Sequence, residues 1–143
     1  MNEAGYKAKI KKLLKQQYPD VFCQAIGGVN NNGTPDHYYE ALPYTLWIEY
    51  KYYKDAFPNK INLESSGKLS ALQARWLERS YYNGQRVGVI IGCKRQAIIL
   101  PNLSWKKEIL TMEQTLFSDV EVVQFINNSV SLDNFERGSD SAV

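Results

Sequence analysis

Gly33-Thr34-Pro35-Asp36-His37-Tyr38-Tyr39-Glu40-Ala41-Leu42-Pro43-Tyr44-Thr45-Leu46-Trp47-Ile48-Glu49-Tyr50-Lys51 carries a short signature at each end, Gly-Thr-Pro-Asp and Glu-Tyr-Lys. From Tyr44 to Lys51 most residues are aromatic or β-branched, which predicts a strand. Alternation puts Thr45, Trp47, Glu49 and Lys51 on one face and Tyr44, Leu46, Ile48 and Tyr50 on the other, the second face reading as core. Thr34 to Glu40 folds back on this strand if the chain turns at Ala41-Leu42-Pro43-Tyr44, where Pro43 supplies no ladder donor. A turn centred between Leu42 and Pro43 sets Glu40 opposite Thr45, Tyr38 opposite Trp47 and Asp36 opposite Glu49. Opposed Cβ atoms lie roughly 5 Å apart, close enough for both carboxylates to hold one divalent cation. A slip of one residue would separate them.

These residue types suit one chemistry. Phosphodiester hydrolysis needs a hard cation against the phosphate charge and a water acidified enough to attack. Asp36 and Glu49 offer oxygen ligands, and the carbonyl of Tyr50, lying between the two functional side chains, offers a third. Lys51 beside them can orient the water or stabilise the transition state. Each residue also has a plainer reading. Glu49 and Lys51 could form a solvent-exposed pair worth roughly 0–1 kcal/mol, and Asp36 could be a turn residue after Pro35. The two patterns alone leave both readings open.

The order of the surrounding motifs resembles the PD-(D/E)XK nuclease superfamily and, within it, the VRR-NUC group of small nucleases. The matching residues are Glu3 in an N-terminal helix, Gly33-Thr34-Pro35-Asp36, Glu49-Tyr50-Lys51, Leu69-Ser70-Ala71-Leu72-Gln73, Gly84 and Val87-Gly88-Val89-Ile90-Ile91, spanning residues 3 to 92. The resemblance implies an α/β, restriction-endonuclease-like fold, a central mixed β-sheet flanked by helices. It implies Asp36, Glu49, Lys51, Gln73 and Glu3 as the catalytic set. It further implies Mg²⁺ or Mn²⁺ held by Asp36, Glu49, the Tyr50 carbonyl and Glu3. Tyr50 stands where similar nucleases usually carry an apolar residue, which fits if its ring is buried and its hydroxyl partnered. The connection from Tyr52 to Lys68 lies, in similar nucleases, near the DNA. Stand-alone members imply cutting of branched, Holliday-junction-like DNA by a symmetric homodimer, two sites facing two opposed strands.

The 143 residues suit a single nuclease domain, expected over residues 1–126, with a polar, poorly ordered tail over 127–143. A hydrophobic fraction of 44% and a charged fraction of 22% are ordinary for a soluble globular chain. No apolar run approaches the ~20 residues of a membrane span, and a lysine-rich N-terminus is unlike a signal sequence. A cytoplasmic protein, or a viral one acting in the host cytoplasm, is expected. Cys23 and Cys93 make neither a zinc pattern nor a disulfide framework. His37, the single histidine, points away from the carboxylate face and reads as structural.

Charge is uneven. Residues 1–111 hold 16 Lys and Arg against 9 Asp and Glu, a net of +7, whereas residues 112–143 hold 1 against 6, a net of −5. The site-bearing part is basic, as a phosphate-gripping surface should be. Lys7, Lys11, Lys54, Arg75 and Arg79 are the candidate nucleic-acid contacts, with Arg86 also exposed. Tyr52 and Tyr53 are placed to stack on an unpaired base. The loop Gly27-Gly28-Val29-Asn30-Asn31-Asn32-Gly33 can adapt to a backbone.

Periodicity predicts a helix from Ala4 to Tyr18, with Ile10, Leu13, Leu14 and Tyr18 apolar, and a second from Ser70 to before Gly84. In the second, Leu69, Leu72, Trp76 and Tyr81 face the sheet. Ser70-x-x-Gln73 is a capping-box pattern, which gives Gln73 a structural task beside its implied active-site one. Strands are expected at Arg86–Gly92, Gln96–Leu100 and Val120–Ile126, with weak helix over Leu103–Phe117. The site is expected at one edge of the sheet's hairpin. The function expected is metal-dependent hydrolysis of DNA, with two competitors: a nuclease of linear, flapped or single-stranded DNA, and a non-catalytic nucleic-acid-binding module.

Overall fold

The computed structural model describes residues 1–26 and 33–131. Six strands form one mixed sheet: β1 (Phe22–Ala25), β2 (His37–Glu40), β3 (Thr45–Tyr52), β5 (Val87–Cys93), β6 (Gln96–Pro101) and β8 (Phe117–Ser118), neighbours in that order. β3 and β5 run parallel and every other neighbouring pair antiparallel. A parallel pair needs a long crossover, supplied by residues 53–86, which include β4 (Lys60–Ile61) and α2 (Ala71–Tyr82). β5 is buried along its whole length, as a parallel strand covered on both faces must be.

α1 (Glu3–Gln17) and α3 (Asp119–Ser131) cover one face, where Tyr6, Ile10, Leu14, Val122 and Ile126 pack on Leu46, Ile48, Tyr50 and Ile90. α1 comes close because β5 carries a glycine beneath it: a Cβ on Gly92 would lie 2.8 Å from the Tyr6 ring. α2 covers the other face, with Ala74 and Leu77 above Val87, Val89 and Ile91. Trp105, Ile61, Leu63 and Ile109 complete that second core.

The hairpin has the expected register, with Tyr38 opposite Trp47 and Glu40 opposite Thr45. β2 begins at His37, so Asp36 stands one residue ahead of the strand. β3 is interior, flanked by β2 and β5. The carboxylates therefore sit toward the end of a central strand instead of at an edge of the hairpin, and core lies on both faces.

Several elements differ from expectation. Val120–Ile126 is helix, the middle of α3, and the helix continues through Ser131, so residues 127–131 of the expected polar tail belong to it. Residues 132–143 and the glycine-asparagine loop at 27–32 lie outside the described residues. Leu103–Phe117 forms two 3-10 turns, Ser104–Lys106 and Thr111–Glu113, and the short strand β7 (Ile109–Leu110), which pairs with β4. That pairing and the buried Ile61 and Leu63 pin the polar connection after Tyr52 to the body. Leu72, expected against the sheet, is 44% exposed on the outer side of α2. No helix among the described residues is long and apolar enough to cross a membrane.

Candidate active site

Asp36 and Glu49 each acquire partners from different elements. The Tyr50 amide donates to Asp36 Oδ2 at 2.9 Å, and Lys7 on α1 brings its ammonium to 3.5 Å from Oδ1. Glu49 is 2% exposed. Its Oε2 takes Lys51 Nζ at 3.1 Å and Gln73 Nε2 at 3.0 Å, while its Oε1 is buried with no hydrogen-bond partner. Lys51 also donates to Gln73 Oε1 at 3.2 Å. Glu49, Lys51 and Gln73 thus form a closed ring of contacts on the α2 face of β3.

Gln73 closes the capping box and also touches Glu49. Ser70 caps α2 by accepting from the Gln73 amide at 3.1 Å, and Gln73 Oε1 accepts from the Ser70 amide at 3.0 Å. The same side chain turns its Nε2 to Glu49. Gly33 holds this helix start close: its φ is +87° and a Cβ there would fall 2.3 Å from the Leu72 carbonyl oxygen. The glycine of the first signature is thus a spacer between the Asp36 segment and the residue preceding Gln73.

Burial, and then the charge of Asp36, push the Glu49 carboxyl up to about 8, against the opposing pull of Lys51. Burial likewise pushes His37 down to about 4. That ring lies flat on Tyr39 and edge-on to Tyr50, the structural place its strand position suggested. The Tyr50 ring is buried and its hydroxyl meets that of Tyr39 at 2.5 Å.

Glu3 departs from the implied set. It is tied to Lys7 at 3.8 Å and reaches the carboxylates only through that lysine, with a side chain 41% exposed. No cluster of three or more His, Cys, Asp and Glu able to hold a metal occurs among the described residues. The donor set that remains still fits a hard cation. Two carboxylates converge, one with an orphaned buried oxygen, and Mg²⁺ is commonly held by one or two carboxylates together with substrate phosphate.

The candidate nucleic-acid contacts divide. Arg75 and Arg79 are exposed on α2, and Lys54 is exposed just beyond β3. Lys11 is half-buried on α1. Lys7 is engaged with Asp36 and Glu3, a role the sequence did not show because the two residues meet only across the fold. Arg86 is not a free surface cation: its guanidinium lies 3.6 Å from the Tyr44 ring centre and donates to the Ser129 carbonyl at 2.7 Å. Tyr52 is buried, its hydroxyl accepting from the Lys94 amide, and Lys68 covers the Tyr53 ring at 4.2 Å. Tyr52 is thus not open to stacking, and Tyr53 already carries a cation on one face.

No protein-family model and no curated protein matches the sequence. Among solved structures, the chain is similar to that of Hjc, a Holliday junction resolvase from the archaeal hyperthermophile Archaeoglobus fulgidus, at 15% identity and a TM-score of 0.57. The likeness covers 85% of this chain and 94% of that one. The fold is restriction-endonuclease-like. The shared feature is the central mixed sheet flanked by helices, which here carries Glu49 and Lys51 on β3, with Asp36 just ahead of β2.

Proposed function

We propose that the chain is a divalent-metal-dependent nuclease that hydrolyses DNA phosphodiester bonds, with branched, Holliday-junction-like DNA as its substrate. The observation that carries this reading is Glu49, a buried carboxylate beside a second carboxylate, with one oxygen unpartnered and its charged form disfavoured. A surface ion pair would be open to water. A nearby cation converts this costly arrangement into a ligand pair.

Asp36, Glu49 and the Tyr50 carbonyl would hold Mg²⁺ or Mn²⁺, which when bound supplies charge against the scissile phosphate and acidifies the attacking water. Lys51 is fixed between Glu49 and Gln73 and offers an oriented ammonium to phosphate or water. Lys7 and the Tyr50 amide fix the direction of the Asp36 carboxylate. A homodimer would present two such sites to a symmetric junction.

The test is cleavage of a labelled four-way junction and a matched linear duplex by the wild type, Asp36→Asn and Lys51→Ala, each with Mg²⁺, Mn²⁺ or EDTA. Metal-dependent cutting confined to the junction and lost in both variants is expected. Cutting of both substrates would replace the junction with general DNA. Cutting that survives Asp36→Asn would remove the catalytic assignment.

A further inference from the structure

On the α1 and α3 side of the sheet, opposite the face that carries Glu49 and Lys51, lies a cleft of about 480 Å³ at the end of β3 and β5. Its wall begins at Tyr52, the residue after Lys51, and continues through Lys54, Asp55, Lys94 and Arg95, with Lys9 and Asp119 closing it. Two of these charges cancel, because Lys9 pairs with Asp119 at 2.9 Å. Lys54, Lys94 and Arg95 then outnumber Asp55, and none of the three is in an ion pair among the described residues.

The cleft is built and held. Lys94 takes a positive φ of 57° at the tip between β5 and β6, a conformation uncommon for a side chain of its kind. Two contacts fix that tip: the Lys94 amide donates to Tyr52 Oη at 2.9 Å, and its carbonyl accepts from Lys9 Nζ at 3.3 Å. Lys9 thereby ties α1 both to the tip and to α3. The exposed Lys94 and Arg95 side chains project from a braced turn.

We propose that this cleft is a second phosphate-binding site, gripping the DNA backbone on the far side of β3 from the scissile bond, with Lys54, Lys94 and Arg95 as its cations. The proposal rests on the nuclease reading for its ligand, and extends it. DNA is held at the carboxylate site and again across the end of the sheet, so a substrate that bends or branches at that end can fill both sites.

The measurement is equilibrium binding of a fluorescent four-way junction in EDTA across a salt series. Each cation that neutralises a phosphate steepens the fall of log K with log salt by about 1. Lys94→Glu/Arg95→Glu should weaken binding at least tenfold and flatten that slope by about 2. Lys54→Glu, on a different element, should flatten it by about 1. Lys12→Glu/Lys15→Glu makes an equal charge change further along α1 and controls for net charge. Unchanged affinity and slope in the Lys94/Arg95 and Lys54 variants, or an equal loss in the Lys12/Lys15 control, would overturn the cleft. If the slopes change as expected while Asp36→Asn leaves cleavage intact, the cleft stands and the site reading falls. Intact Asp36-dependent cleavage with unchanged slopes gives the reverse.

Discussion

Gln73 joins Glu49 to the start of α2 with a single amide group. Its Nε2 lies 3.0 Å from Glu49 Oε2 and its Oε1 3.0 Å from the Ser70 amide nitrogen. Gln73→Ala removes both contacts and leaves the Ser70 amide without its capping-box partner. Gln73→Glu keeps a side chain able to complete the capping box but replaces the donor to Glu49 with a second carboxylate. Activity in Gln73→Glu should fall at least tenfold while exchange protection at the first turn of α2 persists. Gln73→Ala should lose both, as nuclease assays with hydrogen exchange will show.

Acidity gives a second expectation. Glu49 is raised from 4.5 to about 8 by burial and by Asp36, so between those values the folded protein binds a proton that the unfolded chain releases. Metal-free protein therefore loses stability as pH rises through this range. His37, lowered from 6.5 to about 4, acts oppositely and costs stability as pH falls below 6.5. From pH 6.5 to 8 Glu49 outweighs the remaining titration of His37 in the unfolded chain, and the net loss there should be about 1–2 kcal/mol. Thermal melts in EDTA should show it, and Glu49→Gln should flatten the trend. Added Mg²⁺ should stabilise more at pH 8 than at pH 6.5, since metal and proton compete for the carboxylate.

Gly33→Ala tests the spacer. The backbone there has φ +87° and a Cβ would meet the Leu72 carbonyl oxygen at 2.3 Å. The left-handed conformation alone costs about 1–2 kcal/mol with a side chain, and the helix start must also move. A lower urea midpoint and a loss of activity larger than the stability change explains are expected.

Arg86→Ala should act on folding and not on DNA. Its contacts to Tyr44 and to the Ser129 carbonyl join α3 to the start of β3. A charge-assisted hydrogen bond and a cation–π contact together suggest a loss of about 2 kcal/mol. Urea unfolding should register it, whereas junction binding at moderate salt should stay within about twofold of wild type.

The hairpin was legible because Pro43 marks the turn and because alternation over Tyr44–Lys51 leaves few registers that bury one face. The cap made by Gln73 was legible in the Ser70-x-x-Gln73 spacing, and its place beside Glu49 in the motif order. The stretch at α3 reads as a strand because Val120, Val122, Val123 and Ile126 are β-branched. The correcting signal was present in Ser118-Asp119-Val120-Glu121, a capping box that forms with contacts of 2.9 and 3.2 Å. The buried set Val122, Val123, Phe125, Ile126, Ser129 and Val130 also follows helical spacing. What no spacing could reveal is tertiary: Lys7 meeting Asp36 and Arg86 turning inward to Tyr44.

The pairing of α1 with α3 bears on how the protein comes into being. Tyr6, Ile10 and Leu14 are synthesised more than a hundred residues before Val122 and Ile126, which share their core. Domains tend to fold as units as the chain emerges from the ribosome. A nascent chain that has already made Asp36, Glu49 and Lys51 would still lack the helix that seals the opposite face and anchors Lys9 through Asp119. A product truncated before Asp119 would carry the carboxylates without the scaffold that aligns them.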